Sequence, residues 1–431
     1  MSPFSTFART CVLVTPLLLT ATLSGQTGGA GVRAFAAARV IDGTGKPAVE
    51  NAVIVVRDGR IEAIGPAAST RPPAGVQTIS LAGKTVIPGL ISSHVHISDV
   101  QGAGPRAYTE ENTRRQLGVF ARYGITSVVS LGGEQAPAFK ARDTQSTPSL
   151  DRARLSLAGD VIVGKTPEEA RAMVERVAAG KPDLIKIRVD DNLGTTAKMT
   201  PEVYRAVIDE AHRRGLRLAA HIFYLDDAKD LLRAGADIIA HSVRDKPIDA
   251  EFVSLMKTRN VPYCPTLTRE ISTFVYESVP TFFTDPFFLR EADAGVIVQL
   301  RDPKRQAAMR ESKSAQGYKA GLAVAKQNLK KAADAGLLIV MGTDSGPNPE
   351  RFEGYFEHLE MEMMVESGLT PMQVLRSATD DAARGMKLQD VGTLAKGAWA
   401  DFVVLDKDPL ADIRNTKTIA SVWIAGNQVK R

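Results

Sequence analysis

The sequence predicts an α/β chain: a (β/α)8 TIM barrel with a small β-sandwich built from both chain ends. Three observations carry this expectation. The long middle of the chain alternates short apolar runs with helical segments. Both ends are strand-rich and differ in character from that middle. Four of the six histidines fall at the ends of apolar runs.

The chain of 431 residues is long enough for one large domain with a smaller partner. After the N-terminal segment, 52–56 and 60–64 flank Asp58-Gly59, a strong hairpin signal, and a further strand begins at 85–87. At the far end, 401–405 and 419–424 read as strands, with Gly426-Asn427 as a turn. Residues 33–85 and 392–431 are therefore expected to form the composite sandwich, and 86–391 the barrel. Within the middle, apolar runs occur at 125–131, 154–157, 184–189, 216–221, 238–241, 261–268 and 337–342. With the strand ending at His94 there are eight. Helices are expected at 167–179, after Thr166 with proline at the first position, at 201–214 after Thr200, and at 226–234. Alternating strands and helices imply parallel strands with crossover helices, and eight units imply the barrel. The stretch from Thr268 to Leu337 breaks the rhythm. It carries Phe274, Tyr276, Phe282, Phe283, Phe287 and Phe288, then a long charged helix from about 302 to 335. The aromatic segment reads either as a substrate wall or as packing.

Composition narrows the function. Apolar residues are 44% and charged residues 24%, so a packed core is expected. Basic residues number 54 against 49 acidic, a net charge of +5, with no dense basic run. That excludes nucleic acid as the expected partner and leaves a small molecule or short peptide as substrate; a homo-oligomer is compatible with this surface. Residues 1–25 read as a signal peptide: Arg9 precedes the apolar segment 11–23, too short for a comfortable span. Residues 26–32 read as a linker, and the protein is expected to be exported, periplasmic or secreted. Cys11 falls in the signal segment, so after cleavage Cys264 stands alone and no intrachain disulfide forms.

The histidines carry the chemistry. His94 and His96 are two apart in an extended run, so both imidazoles face one side. His221 and His241 end successive runs, about one β/α unit apart. Asp344 ends the last run, a position suited to both metal ligation and proton transfer. These ends form the face on which barrel active sites are built. Lys186, embedded in Leu184-Ile185-Lys186-Ile187, is costly unless paired or modified; beside two cations it could carry a carboxylate made from carbon dioxide. Arg188 shares the parity of Lys186, and Arg269 follows a run end. Either could hold an anionic substrate group, or pair with a local acid such as Asp190 or Glu270. His212 reads as a surface residue and His358 as a packing one.

The ordered motifs resemble the amidohydrolase superfamily, in the branch of imidazolonepropionase-like proteins and metal-dependent Xaa-Pro and Xaa-Arg dipeptidases. The matching pieces are Pro88-Gly89-Leu90-Ile91 running into His94-Val95-His96, then Ile185-Lys186-Ile187, Ala219-Ala220-His221, Ile239-Ala240-His241-Ser242 and Gly342-Thr343-Asp344-Ser345-Gly346. Downstream, Gly368-Leu369-Thr370-Pro371, Ala378-Thr379 and the run from Gly397 to Asp406 also match. The resemblance implies two divalent metal ions, with Zn2+ expected. His94, His96 and Asp344 would hold one, His221 and His241 the other, and carboxylated Lys186 would bridge them. It implies hydrolysis of amide, peptide or cyclic amide C–N bonds, with Asp344 as proton shuttle. Two positions depart from the pattern. Ser92 stands where the family usually has an acid, and Phe223 stands where some dipeptidases have a tyrosine that holds the substrate carboxylate; here the tyrosine is Tyr224. The alternatives are a mononuclear, imidazolonepropionase-like hydrolase and a non-catalytic metal-binding barrel.

Overall fold

A computed structural model describes Met1 and residues 31–430. Beyond Met1, the expected signal peptide lies outside the described residues, as do residues 26–30 of the expected linker. Among the described residues no helix is long and apolar enough to cross a membrane.

The strands in chain order are β1 (Arg33–Val40), β2 (Val49–Arg57), β3 (Arg60–Pro66), β4 (Thr78–Ser80), β5 (Thr85–Pro88), β6 (Leu90–Val95), β7 (Ile125–Ser130), β8 (Arg154–Leu157), β9 (Ile185–Val189), β10 (Leu218–Ile222), β11 (Ile238–Ala240), β12 (Tyr263–Cys264), β13 (Phe402–Leu405), β14 (Ile419–Ile424) and β15 (Asn427–Gln428). Strands of the two chain ends share one mixed sheet in the order β15-β14-β13-β5-β1-β2-β3, with β4 beside β1. The joint is the antiparallel pair β13–β5, with Val403 opposite Ile87. The β2–β3 hairpin turns through Asp58 at φ +49° and Gly59 at φ +80°, the doubly positive φ that a tight turn between twisted strands requires. Phe35, Phe402 and Trp423 meet edge-on or stacked at 4.7–5.9 Å over this sheet, and Ile54, Val56 and Val86 pack with them.

The middle of the chain forms two parallel sheets, β6-β7-β8 and β9-β10-β11-β12. Single bonds link their edges. Ile162 N donates to Lys186 O at 2.9 Å, and Asp183 N to Leu157 O at 2.9 Å. The last apolar run, 337–342, is not a regular strand. Its backbone nevertheless bonds on both sides: Val340 N to Tyr263 O at 3.0 Å, and Ser93 N to Met341 O at 2.7 Å. The run expected at 261–268 shortens to β12, because Pro262 and Pro265 lack the N–H that a ladder needs; a short helix, Leu267–Ile271, follows. Strands buried on both faces read as continuous apolar runs, and Ile185, Ile187, Leu218, Ala220 and Ile222 join one core.

The helix Pro167–Ala179 starts as expected, with Thr166 accepting from Glu169 N. Thr200 precedes Pro201–Arg213, but its side chain accepts no capping bond from the helix backbone. The charged helix expected from 302 to 335 is instead two, Pro303–Glu311 and Lys313–Asp334. Ser312, in extended conformation at ψ 115°, breaks the run and caps the second helix through Ala315 N. The aromatic segment before it is packing: Phe283 stacks on Phe288, and Phe287 meets His358 edge-on at 4.9 Å.

Candidate metal centre

The four histidines are delivered by the C-terminal end of a parallel strand or by the residue just beyond it, while Lys186 is the second residue of β9 and Asp344 follows the irregular run 337–342. His94 is the fifth residue of β6 and is fully buried. His96 follows the strand and donates its backbone N–H to Ser345 O at 2.8 Å. Lys186 lies in β9 opposite Ala219, and His221 in β10 opposite Ala240. His241 follows β11. Its φ of +79°, and that of Asp344 at +60°, are left-handed. Such backbone costs of order 1–3 kcal/mol per residue and persists where the surroundings over-determine it. Part of that determination is the close approach at Gly342: a β-carbon there would lie 2.6 Å from Cys264 Sγ and 2.7 Å from His94 N. Only glycine lets the segment carrying Asp344 reach β6.

The side chains converge. Asp344 Oδ1 lies 2.8 Å from His96 Nε2 and 3.4 Å from His94 Nε2. The His94 and His241 rings are 4.6 Å apart, and His221 and His241 4.1 Å. Lys186 Nζ is 3.3 Å from His94 Nε2. His94, His241 and Asp344 present ligand atoms that all lie within 4.8 Å of one another. This grouping differs from the expected division, in which His241 pairs with His221 alone.

The electrostatics suit a cation. Burial, then Lys186, holds the His94 imidazole well below its ordinary pKa; burial, then His221 and His94, does the same to His241. Burial pushes His221 down to about 3 against the opposing pull of Asp190. Neutral imidazoles offer lone pairs. Burial would raise the Asp344 carboxyl, but Arg351, His94 and His96 together hold it well below the usual range. Burial lowers Lys186 to about 8, so its neutral amine is accessible near neutral pH.

Neighbours fix the rings. His96 Nδ1 lies 3.0 Å from Gly132 O, an acceptor that places a proton on Nδ1 and turns Nε2 toward Asp344. His241 Nδ1 is 2.7 Å from Thr266 Oγ1, while its Nε2 is buried with no hydrogen-bond partner. His221 Nε2 is 2.7 Å from Asp190 Oδ2, which leaves the Nδ1 lone pair available as a ligand. Carboxylate or hydroxyl partners of this kind orient metal-binding histidines. An unpartnered buried nitrogen, beside a carboxylate kept ionised and imidazoles kept neutral, fits a divalent metal.

The remaining sequence candidates divide. Arg269 is buried, bonds both Glu270 oxygens at 3.1 Å, and places Nε 4.0 Å from Asp344 Oδ2. Arg188 is half-exposed and bonds Asn192, with Asp190 at 3.7 Å. The Tyr224 hydroxyl donates to Asp191 at 2.8 Å, and no bond joins it to the imidazole cluster among the described residues. His212 is exposed on Asp237, and His358 is buried between Tyr123 O and Thr416. Sequence reasoning did not single out Arg244, Arg351 or Glu357. Arg244 is wholly buried, with Nη1 on Ile222 O and Ser242 O and Nε 3.1 Å from Glu270. Arg351 bonds Asp344 Oδ2 at 2.5 Å. Glu357 accepts from Thr343, Ser345 and Ser92, which flank Asp344 and His94. Asp190, read only as a partner of Arg188, could have been flagged as an acid at a strand end.

Residues 85–429 match the family model described as the amidohydrolase family. The chain is 26% identical over 380 residues to an uncharacterized protein of Mycobacterium tuberculosis, spanning 86% of this chain and 90% of that one. It is 23% identical over 404 residues to the imidazolonepropionase of Deinococcus radiodurans, spanning 88% and 92%. The crystal structure of a putative prolidase from Bifidobacterium longum superposes with a TM-score of 0.76 at 25% identity, covering 93% of this chain and 95% of that one. The resemblance read from the ordered motifs is met, and this chain belongs to the amidohydrolase family.

Proposed function

We propose that the protein hydrolyses a C–N bond, in an amide, peptide or cyclic amide, at a divalent metal centre held by His94, His96, Lys186, His221, His241 and Asp344. The observation that carries this reading is a contiguous cluster of four imidazoles in which His94 and His96 reach the buried Asp344 carboxylate, His241 joins them with Nε2 unpartnered, and His221 packs on His241. When bound, divalent metal, with Zn2+ expected, supplies Lewis acidity that polarises a carbonyl and acidifies a water. Asp344 accepts the proton that the attacking water loses and returns it to the leaving nitrogen, so that water adds across the C–N bond. Arg351 keeps Asp344 ionised and turned toward His94 and His96. Lys186 has the burial that favours a free amine; its nitrogen can add to carbon dioxide, releasing a proton and gaining the carboxylate that would bridge two ions. Arg269 and Arg244 both pair with Glu270, and Arg269 also stands 4.0 Å from Asp344; two arginines beside the cluster support a substrate bearing an anionic group.

A second reading has a specific observation behind it. Lys186 Nζ stands 3.3 Å from His94 Nε2 and the tightest ligand group is His94, His241 and Asp344, which favours one ion with an unmodified lysine. On either reading we take the two parallel sheets and their linking bonds as one (β/α)8 barrel. We take the end sheet as the small β domain beside it, with limits near 33–85 plus 392–431 and 86–391, and propose export from the N-terminal segment. The test is a panel of N-acyl amino acids, dipeptides, lactams and carboxylic esters, scored for turnover before and after metal is stripped and restored. Metal-dependent release of amine from at least one amide supports the reading. Turnover unaffected by stripping would defeat it.

A further inference from the structure

The short helix Leu267–Ile271 begins in an unusual way. Thr266 stands at its N-cap position, where a threonine hydroxyl ordinarily accepts from a backbone N–H of the first turn. Here the Thr266 side chain makes no capping bond, and its backbone is left-handed at φ +49° and ψ +50°. A β-branched residue holds that conformation only where its surroundings impose it. The hydroxyl is used elsewhere. Thr266 Oγ1 lies 2.7 Å from His241 Nδ1, and both residues are buried.

Another element supplies the missing cap. Glu360, on the helix Tyr355–Glu366, is wholly buried. Its Oε1 accepts from Leu267 N, and its Oε2 from Thr268 N and Thr268 Oγ1, each at 2.7 Å. Leu267 N and Thr268 N are among the donors that a helix start leaves without partners. Thr268 N is also the group that a Thr266 hydroxyl in the ordinary capping geometry would take. Burial raises the Glu360 carboxyl to about 7, and above that pH both oxygens are free to accept.

We infer that Glu360 is a positioning residue for the metal centre: by capping the Leu267–Ile271 helix in place of Thr266, it holds Thr266 left-handed and frees its hydroxyl to fix the His241 ring. His241 then donates from Nδ1 to Thr266, and its buried, unpartnered Nε2 presents a lone pair to the cluster. Without Glu360, Thr266 turns back to cap the helix, and His241 loses the partner that sets its tautomer. The inference rests on the metal-centre reading, because a fixed Nε2 lone pair serves a ligand.

The test pairs zinc competition against a chromophoric chelator with ring-nitrogen NMR of metal-free protein labelled at histidine, both above the pH at which Glu360 ionises. His241 is assigned by the signals lost in His241→Gln. The wild type should show His241 as the Nδ1–H tautomer. Thr266→Val keeps the branched shape without the hydroxyl. It and Glu360→Ala should each weaken zinc about ten- to hundredfold, and each should give a mixture of tautomers. The two changes interrupt one chain of contacts, so the double variant should stay within about threefold of Thr266→Val. Glu360→Gln serves if the alanine protein does not fold. It fills the same volume but turns an NH2 toward a backbone N–H, so the same changes should appear at smaller size. Zinc affinity unchanged in Glu360→Ala and Glu360→Gln alike, losses that add in the double variant, or an Nδ1–H tautomer that persists without Glu360 would each overturn the inference. A wild type that binds no zinc would defeat the metal reading instead, and the tautomer comparison would still decide whether Glu360 fixes the ring.

Discussion

Glu357 offers a quantitative test of how the Asp344 loop is held. Its Oε1 accepts from Thr343 Oγ1 at 2.6 Å, Ser345 Oγ at 2.8 Å and Ser92 Oγ at 3.2 Å, while Oε2 is buried without a partner. Burial raises its carboxyl pKa, so a neutral isostere is a fair copy. In Glu357→Gln, the amide oxygen can take the Oε1 position and keep all three bonds, with its NH2 at the unpartnered place. The expected cost is under about 1 kcal/mol. In Glu357→Ala, three hydroxyls lose their acceptor inside the core. At roughly 1–3 kcal/mol for a buried group left unsatisfied, offset by rotation of some hydroxyls to other acceptors, the loss should be about 3–5 kcal/mol. The left-handed backbone at Asp344 should then relax, so metal affinity falls with stability. Urea unfolding at fixed metal concentration, with zinc competition on the same samples, reads both quantities. Equal stability of the alanine and glutamine variants, or an alanine variant with unchanged zinc affinity, would refute the reasoning.

Four further outcomes are expected. Arg154→Met should destabilise by about 3–5 kcal/mol in thermal or urea unfolding, because it leaves Asp401 buried without its partner. Glu353, raised by burial to about 7, binds a proton in the folded state that the unfolded chain has released. Its contribution therefore falls as pH rises from about 4.5 to about 7, by about 2–3 kcal/mol, and Glu353→Gln should flatten that slope in a stability–pH profile. Lys186→Ala should lose turnover, with acetate or propionate partly restoring it, whereas Lys186→Arg should not recover because a guanidinium cannot form the carbamate. Retained turnover in Lys186→Ala without added carboxylate would remove the bridging role. Asp344→Asn should keep the fold by circular dichroism but lose turnover by at least about a hundredfold, the scale of general acid–base catalysis.

Much of the architecture was legible because its signals are local. Asp58-Gly59 specifies its turn through backbone conformation, and Thr166 with Pro167 specifies a helix start. The apolar runs at 184–189 and 216–221 are continuous because both strand faces are covered. Periodicity alone could not show that Pro262 and Pro265 cut one run to two strand residues, or that Ser312 divides a charged helix. Nor could it show that the last run bonds its neighbours without forming a ladder, since that depends on where β6 and β12 lie. The site follows the same division. His94, His96, His221, His241, Lys186 and Asp344 stand out because each ends or interrupts an apolar run. The residues that orient them, such as Thr266, Arg351 and Glu357, are remote in sequence and chemically ordinary until the fold brings them in. Tyr224 shows the converse: its place near His221 in sequence suggested a substrate contact, but its hydroxyl is bonded to Asp191.

Anomalous scattering from zinc-loaded crystals, recorded on either side of the zinc edge, bears on the metal centre without needing the substrate. Two peaks should stand among His94, His96, His221, His241 and Asp344, with added density on Lys186 Nζ bridging them. A single peak on His94, His241 and Asp344 beside an unmodified lysine would move the protein to the one-metal reading. No peak within reach of these side chains, in protein that still hydrolyses amides, would contradict the metal mechanism outright.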